Sequence, residues 1–146
     1  MKKKMLCPIV IVIAFLICCI VYFKPLSLSD VAGTDNQIKM VYSQLGVKNG
    51  EPYIDSVDYQ DITMEQKNAI LSLLDKYTYR RTVGTLFSNG STSDLGNKTF
   101  SIYVYDNNLL INSVLVTSSG KVVINEKTYN MEDAEPFIEQ IVEIMN

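Results

Sequence analysis

The stretch KTFSIYVYDNNLLINSVLVTSSGKVVINEKTY, residues 98–129, decides the fold. In its first part Phe100, Ile102 and Val104 fall on one side and Ser101, Tyr103 and Tyr105 on the other. That period of two suits a strand with one buried face. Asp106-Asn107-Asn108 is a tight turn, and 109–117 (LLINSVLVT) reads as the next strand. Ser118-Ser119-Gly120 turns into Lys121–Ile124, and Asn125-Glu126-Lys127 turns once more before Thr128-Tyr129 returns. Strands joined so closely pair antiparallel, because a parallel crossover needs about a dozen residues or more. Upstream, 78–87 (TYRRTVGTLF) reads as a further strand, linked to the stretch by a polar loop over 88–97 (SNGSTSDLGN). The region reads as a four- to five-stranded antiparallel meander.

Helical spacing flanks it on both sides. Thr63 opens a helix as N-cap, with Gln66 completing a capping box and Ile70, Leu73, Leu74 and Tyr77 forming one stripe. Ala134, Phe137, Ile138, Ile141, Val142 and Met145 predict a closing helix over 134–145, with Asp133 as cap and Pro136 in the first turn. Ile38, Val41, Tyr42 and Leu45 recur at i, i+3, i+4 and i+7. They predict a helix over 35–45, capped by Thr34 or Asp35 and stopped at Gly46. Residues 48–52 read as a loop and 53–59 as a strand. The fold class is α+β, with two or three helices packed on one face of the sheet.

The N-terminus is different in kind. Lys2, Lys3 and Lys4 precede residues 5–23, MLCPIVIVIAFLICCIVYF, which carry no charge. Three readings are open. An uncleaved transmembrane helix of this length spans about 28 Å, close to the roughly 30 Å hydrocarbon core. Its lysines would stay inside and the rest of the chain would lie outside. A cleaved signal peptide is the second, with Val31-Ala32-Gly33 as a distant cleavage site. A lipoprotein signal at Cys18 or Cys19 is the third, though no small residue precedes either in the expected place. The anchor is the favoured reading, giving a single-pass protein of the cell membrane. Residues 1–24 are then the anchor or signal segment, 25–36 a tether, and 37–146 an extracytoplasmic α+β domain.

Composition removes several chemistries. There is no histidine, and all three cysteines (Cys7, Cys18 and Cys19) lie in the apolar run. Imidazole-based triads are therefore excluded, as are zinc, iron–sulfur and disulfide sites built on thiols beyond residue 19. Residues 25–146 carry nine basic and sixteen acidic side chains, a net of −7. Such a domain repels a phosphate backbone, so nucleic acid is not an expected partner. Asp55, Asp58 and Asp61 recur at intervals of three, which scatters carboxylates on an extended chain, and they read as solvated acids. Ser118-Ser119-Gly120-Lys121 matches neither a serine–lysine nor a phosphate-loop pattern. No cofactor, metal or catalytic residue is expected.

One constellation suggests recognition. If Phe100, Ile102 and Val104 pack under the helices, Tyr103 and Tyr105 stand on the open face. Arg80 is expected to be exposed on the neighbouring strand. Tyrosine and arginine are enriched at binding hot spots, so Arg80, Tyr103 and Tyr105 are the candidate contacts for a protein or peptide partner.

From Thr63 to Met145 the order of ILSLLDKYTYRR, a Gly/Ser loop, FSIYVYD, SGKVVINEKTY and a closing acidic helix resembles a family of extracytoplasmic domains of unknown function. They are found in low-GC Gram-positive bacteria as small membrane-anchored proteins. Similar domains are attached to antirepressor-type membrane peptidase sensors. The resemblance implies export and an α+β sheet fold but no activity, and a peptidase zinc motif is precluded by the lack of histidine. The expected function is non-enzymatic: an anchored binding or accessory sensory domain. A cell-envelope enzyme using carboxylates and an immunity or inhibitor protein are the alternatives.

Overall fold

The computed structural model describes residues 6–33, 36–88 and 98–146. The expected lysine cluster, the Thr34 or Asp35 cap and all but Ser88 of the 88–97 loop lie outside them. Among the described residues the chain is α+β, with four α-helices and a six-stranded antiparallel sheet.

The sheet is built from β2 (Gln37–Lys48), β3 (Glu51–Tyr59), β5 (Lys98–Asp106), β6 (Leu109–Thr117), β7 (Lys121–Ile124) and β8 (Lys127–Asn130), in the order β3-β2-β5-β6-β7-β8. The meander over 98–130 forms as expected, and a β2–β3 hairpin widens it to six strands. Turn chemistry sets the three two-residue hairpins. Asn49-Gly50, Asn107-Asn108 and Asn125-Glu126 all take positive φ, as turns that follow the strand twist require.

The helix expected over 35–45 is instead β2. Its residues also fit a period of two: Ile38 and Met40 are buried and point to the same side as Tyr42. Pairing decides between the periods, because β2 bonds on both edges, Gln37–Gln44 to Lys98–Tyr105 and Met40–Lys48 to Glu51–Tyr59. Tertiary partners of that kind outweigh an i, i+3, i+4 pattern in a short segment. Gly46, expected as a helix stop, lies within the strand opposite Tyr53.

α3 (Met64–Lys76) has the capping box read from sequence. Gln66 N–H donates to Thr63 Oγ1 at 3.2 Å, and Thr63 N–H donates to Gln66 Oε1 at 3.0 Å. α4 (Ala134–Met145) buries Ala134, Phe137, Ile138 and Ile141. Asp133 precedes it without a side-chain cap bond, its carbonyl instead accepting from Phe137 N–H. α4 packs on α3 and across β5 and β6. Tyr77 meets Phe137 edge-on at 5.1 Å. Buried Phe100, Ile102, Val104, Val114, Val116, Val122 and Ile124 share one sheet face, and this is the core the helices cover.

Described residues of the expected tether over 25–36 pack into that core. β1 (Leu26–Ser27) pairs with β4 (Thr78–Tyr79), and α2 (Ser29–Ala32) follows. Leu28 and Ala32 are buried, Ser29 donates to Asp75 at 2.6 Å, and Asn112 Nδ2 donates to the Val31 carbonyl at 2.8 Å. Two apolar anchors and two polar ties hold a segment that reads as a linker by composition.

α1 (Leu6–Tyr22) is apolar on every side. Ile9, Val12, Phe15, Leu16, Ile20 and Val21 are all more than half exposed. Among the described residues no helix is long and apolar enough to cross a membrane.

Candidate functional site

The sheet face away from the helices carries what the core does not use. On β5 these are Ser101, Tyr103 and Tyr105, each half-buried, as the alternation predicts. Register supplies their neighbours. Tyr103 lies opposite Lys39 and Ser113, Ser101 opposite Val41 and Leu115, and Leu115 opposite Val123. Val41, Leu115 and Val123 are half-buried and lie in one row across the middle of this face, with Ser101 between Val41 and Leu115. Beside it, Lys39 Nζ stands 5.3 Å from the Tyr105 ring centre, within cation–π range.

A ribbon extends the same face. β2 pairs with β5 only to Gln44 but with β3 as far as Lys48, so the hairpin projects beyond the sheet as two strands. Leu45, Val47, Pro52 and Ile54 face its open side, with Val47 and Ile54 exposed. β3 is the outermost strand and is exposed from Glu51 to Asp58. Asp55 lies opposite Gln44 and Asp58 opposite Val41, on alternate sides of β3. A spacing of three thus parts the carboxylates, and among the described residues no group of three or more side chains could hold a metal ion.

Arg80 is not with the tyrosines. The expected strand over 78–87 pairs only at Thr78–Tyr79, and with β1 rather than with β5. Arg80 then bridges Asn130 at the β8 edge, with β6 and β7 between it and β5. The reason is local: 82–87 lacks alternation and forms a 3-10 turn at Gly84–Phe87, where Thr82 Oγ1 accepts from Thr85 N–H. Arg80 pairs with Glu132 in a cleft of ≈ 670 Å³ lined also by Lys76, Tyr77, Asp133 and Gln140. Gln140 Nε2 donates to Tyr77 Oη there at 2.9 Å.

The arginine that does meet aromatic rings is Arg81. Its guanidinium lies 4.5 Å over Tyr22, at the end of α1, and 5.4 Å from the Tyr129 ring. It donates to Tyr129 Oη at 3.5 Å, a bond that raises its pKa above the ordinary value. Sequence spacing gives no sign of this, because Tyr22, Arg81 and Tyr129 come from three distant segments. Lys98 is a second tied cation, donating to Glu139 at 3.1 Å and Glu135 at 3.3 Å. Its pKa is raised, by Glu139 first.

No protein-family model, curated protein or solved structure matches the chain.

Proposed function

We propose that this is a membrane-anchored extracytoplasmic protein whose domain binds a protein or peptide partner, without catalysis, through the open face of its sheet. The observation that carries the reading is the one-sided cover of that sheet. Its helical side is sealed, while Tyr103, Tyr105, Val41, Leu115 and Val123 remain partly accessible on the other. Aromatic anchors beside apolar side chains, with a polar rim, are what recognition surfaces use. The projecting ribbon enlarges the contact surface.

The anchor is supported by α1, whose exposed apolar surface finds no cover on the domain. A helix apolar all round belongs in an apolar medium. The apolar run over 5–23 and the lysines before it support the same orientation. Lack of histidine, and of thiols beyond Cys19, favours binding over catalysis.

The test is a photo-crosslinking amino acid placed at Tyr103 in the full chain in its own membrane. A discrete adduct is expected that disappears when Val41→Glu is added. An adduct that also forms from a probe at exposed Glu65, on α3, or no adduct at all, would overturn the open face as the binding surface.

A further inference from the structure

Val83, Leu86 and Phe87 are 66%, 47% and 86% exposed, and Phe87 is the most exposed large apolar side chain among the described residues. They are not on a loose loop. Thr82 N–H donates to Thr85 Oγ1 at 2.9 Å, Thr85 N–H returns a bond to Thr82 Oγ1, and Thr85 Oγ1 donates to the Thr82 carbonyl. That reciprocal arrangement fixes the 3-10 turn, so its apolar side chains are held outward rather than swept into the core.

Their place in the fold says what covers them. Leu86 lines a shallow cleft with Tyr22, Arg81 and Lys127, so the turn sits beside the last residue of α1. Tyr22, the last residue of α1, and Leu86 of the turn line the same cleft, with the Arg81 guanidinium over the Tyr22 ring. Two bases, Arg81 and Lys127, stand in the cleft against one acid, Glu126. Apolar side chains at the end of an apolar helix, bordered by cations, match an anionic bilayer surface: the tails take the one and the headgroups the other.

We infer that Val83, Leu86 and Phe87 form a foot that inserts at the acyl–headgroup boundary beside α1 and fixes the domain's tilt on the bilayer. The inference rests on the anchored reading above. It goes further by assigning a second lipid contact, in the folded domain.

The chain has no tryptophan, so single tryptophans report without background. Phe15→Trp, in α1, and Phe87→Trp are each placed in the full chain and reconstituted in phosphatidylcholine–phosphatidylglycerol vesicles. Phosphatidylcholine brominated near the glycerol end or near the methyl end of the acyl chain serves as quencher. The expected result is loss of Phe15→Trp emission with the deep quencher. Phe87→Trp should show blue-shifted emission that the shallow quencher removes more strongly. Phe15→Trp quenched while Phe87→Trp emits as in water overturns the foot and leaves the anchor standing. Blue-shifted but unquenched Phe87→Trp emission overturns it too, since protein rather than lipid then covers the turn. An unquenched Phe15→Trp overturns anchor and foot together.

Discussion

The Arg81 guanidinium lies 4.5 Å over the ring of Tyr22, joining the end of the apolar helix to the folded domain. Its bond to Tyr129 on β8 carries the joint into the sheet. A cation over an aromatic face is worth roughly 1 kcal/mol when part-buried. Arg81→Ala should therefore cost about 1 kcal/mol in denaturant unfolding and free the helix end. Hydrogen exchange reads the second effect at Phe23, whose N–H donates to the Cys19 carbonyl at 3.0 Å. Exchange at Phe23 should speed up in Arg81→Ala and less so in Arg81→Lys, which keeps the charge but loses the planar fork. Unchanged exchange in both variants would sink the joint.

Two turn positions should respond in opposite directions. Gly120 has φ +90, and a Cβ there would meet the Met131 carbonyl oxygen at 2.7 Å. That oxygen is backbone, held in place because Met131 N–H donates to the Gly120 carbonyl at 2.8 Å. Gly120→Ala should destabilise by about 2 kcal/mol or more, from strain and contact together. Glu126, with φ 71, holds a position that glycine fills better. Glu126→Gly should stabilise by about 0.5–1 kcal/mol, since the turn demands positive φ at both central residues. Chemical denaturation of the two variants beside the parent checks both signs.

Alkaline pH should weaken the fold. Burial raises the Tyr59 phenol, with Tyr42 adding to it, and raises Tyr79, with Tyr129 and Asp30 adding. Lys98 is raised by Glu139 and then Glu135. In each case the folded chain holds its proton more tightly than the unfolded one. The stability they contribute is complete below the ordinary values of 10.0 for tyrosine and 10.5 for lysine. It is lost as pH climbs through the higher folded values. The melting temperature should hold to about pH 9 and fall above about pH 10. Tyr79→Phe, which keeps the edge-on ring pair with Tyr129 at 4.9 Å, should make that fall shallower. An equal fall in both proteins would show that Tyr79 does not contribute.

What could be read from the sequence follows from how local each signal is. Thr63 and Gln66 lie three residues apart, and their capping box forms as the spacing predicts. β5 to β8 and α4 are equally local, each set by its own period and turns. Ile38–Leu45 fits both periods, and the choice depends on β5, more than fifty residues away. The binding candidates divide the same way. Tyr103 and Tyr105 fall on the open face because parity along one strand places them there. Arg80 would join them only if 78–87 paired with β5, whereas Thr78–Tyr79 pairs with β1. Its neighbour Arg81 is the one that meets tyrosines, across three segments that no spacing rule connects.

Phe137 and Phe87 offer the sharpest contrast within one residue type. Phe137 is fully buried between α3 and the sheet, edge-on to Tyr77. Phe87 is 86% exposed. Truncating a buried phenylalanine removes its transfer energy and leaves a cavity, so Phe137→Ala should cost about 3–5 kcal/mol. A surface truncation changes stability by within about 0.5 kcal/mol, and Phe87→Ala should leave the unfolding midpoint in place. Urea unfolding of the full chain in detergent separates the two. If Phe87→Ala also lost several kcal/mol, its ring would be part of the core and unavailable to any outside surface. A silent Phe87→Ala beside a crippled Phe137→Ala leaves the exposed ring with no folding role and free for an external contact.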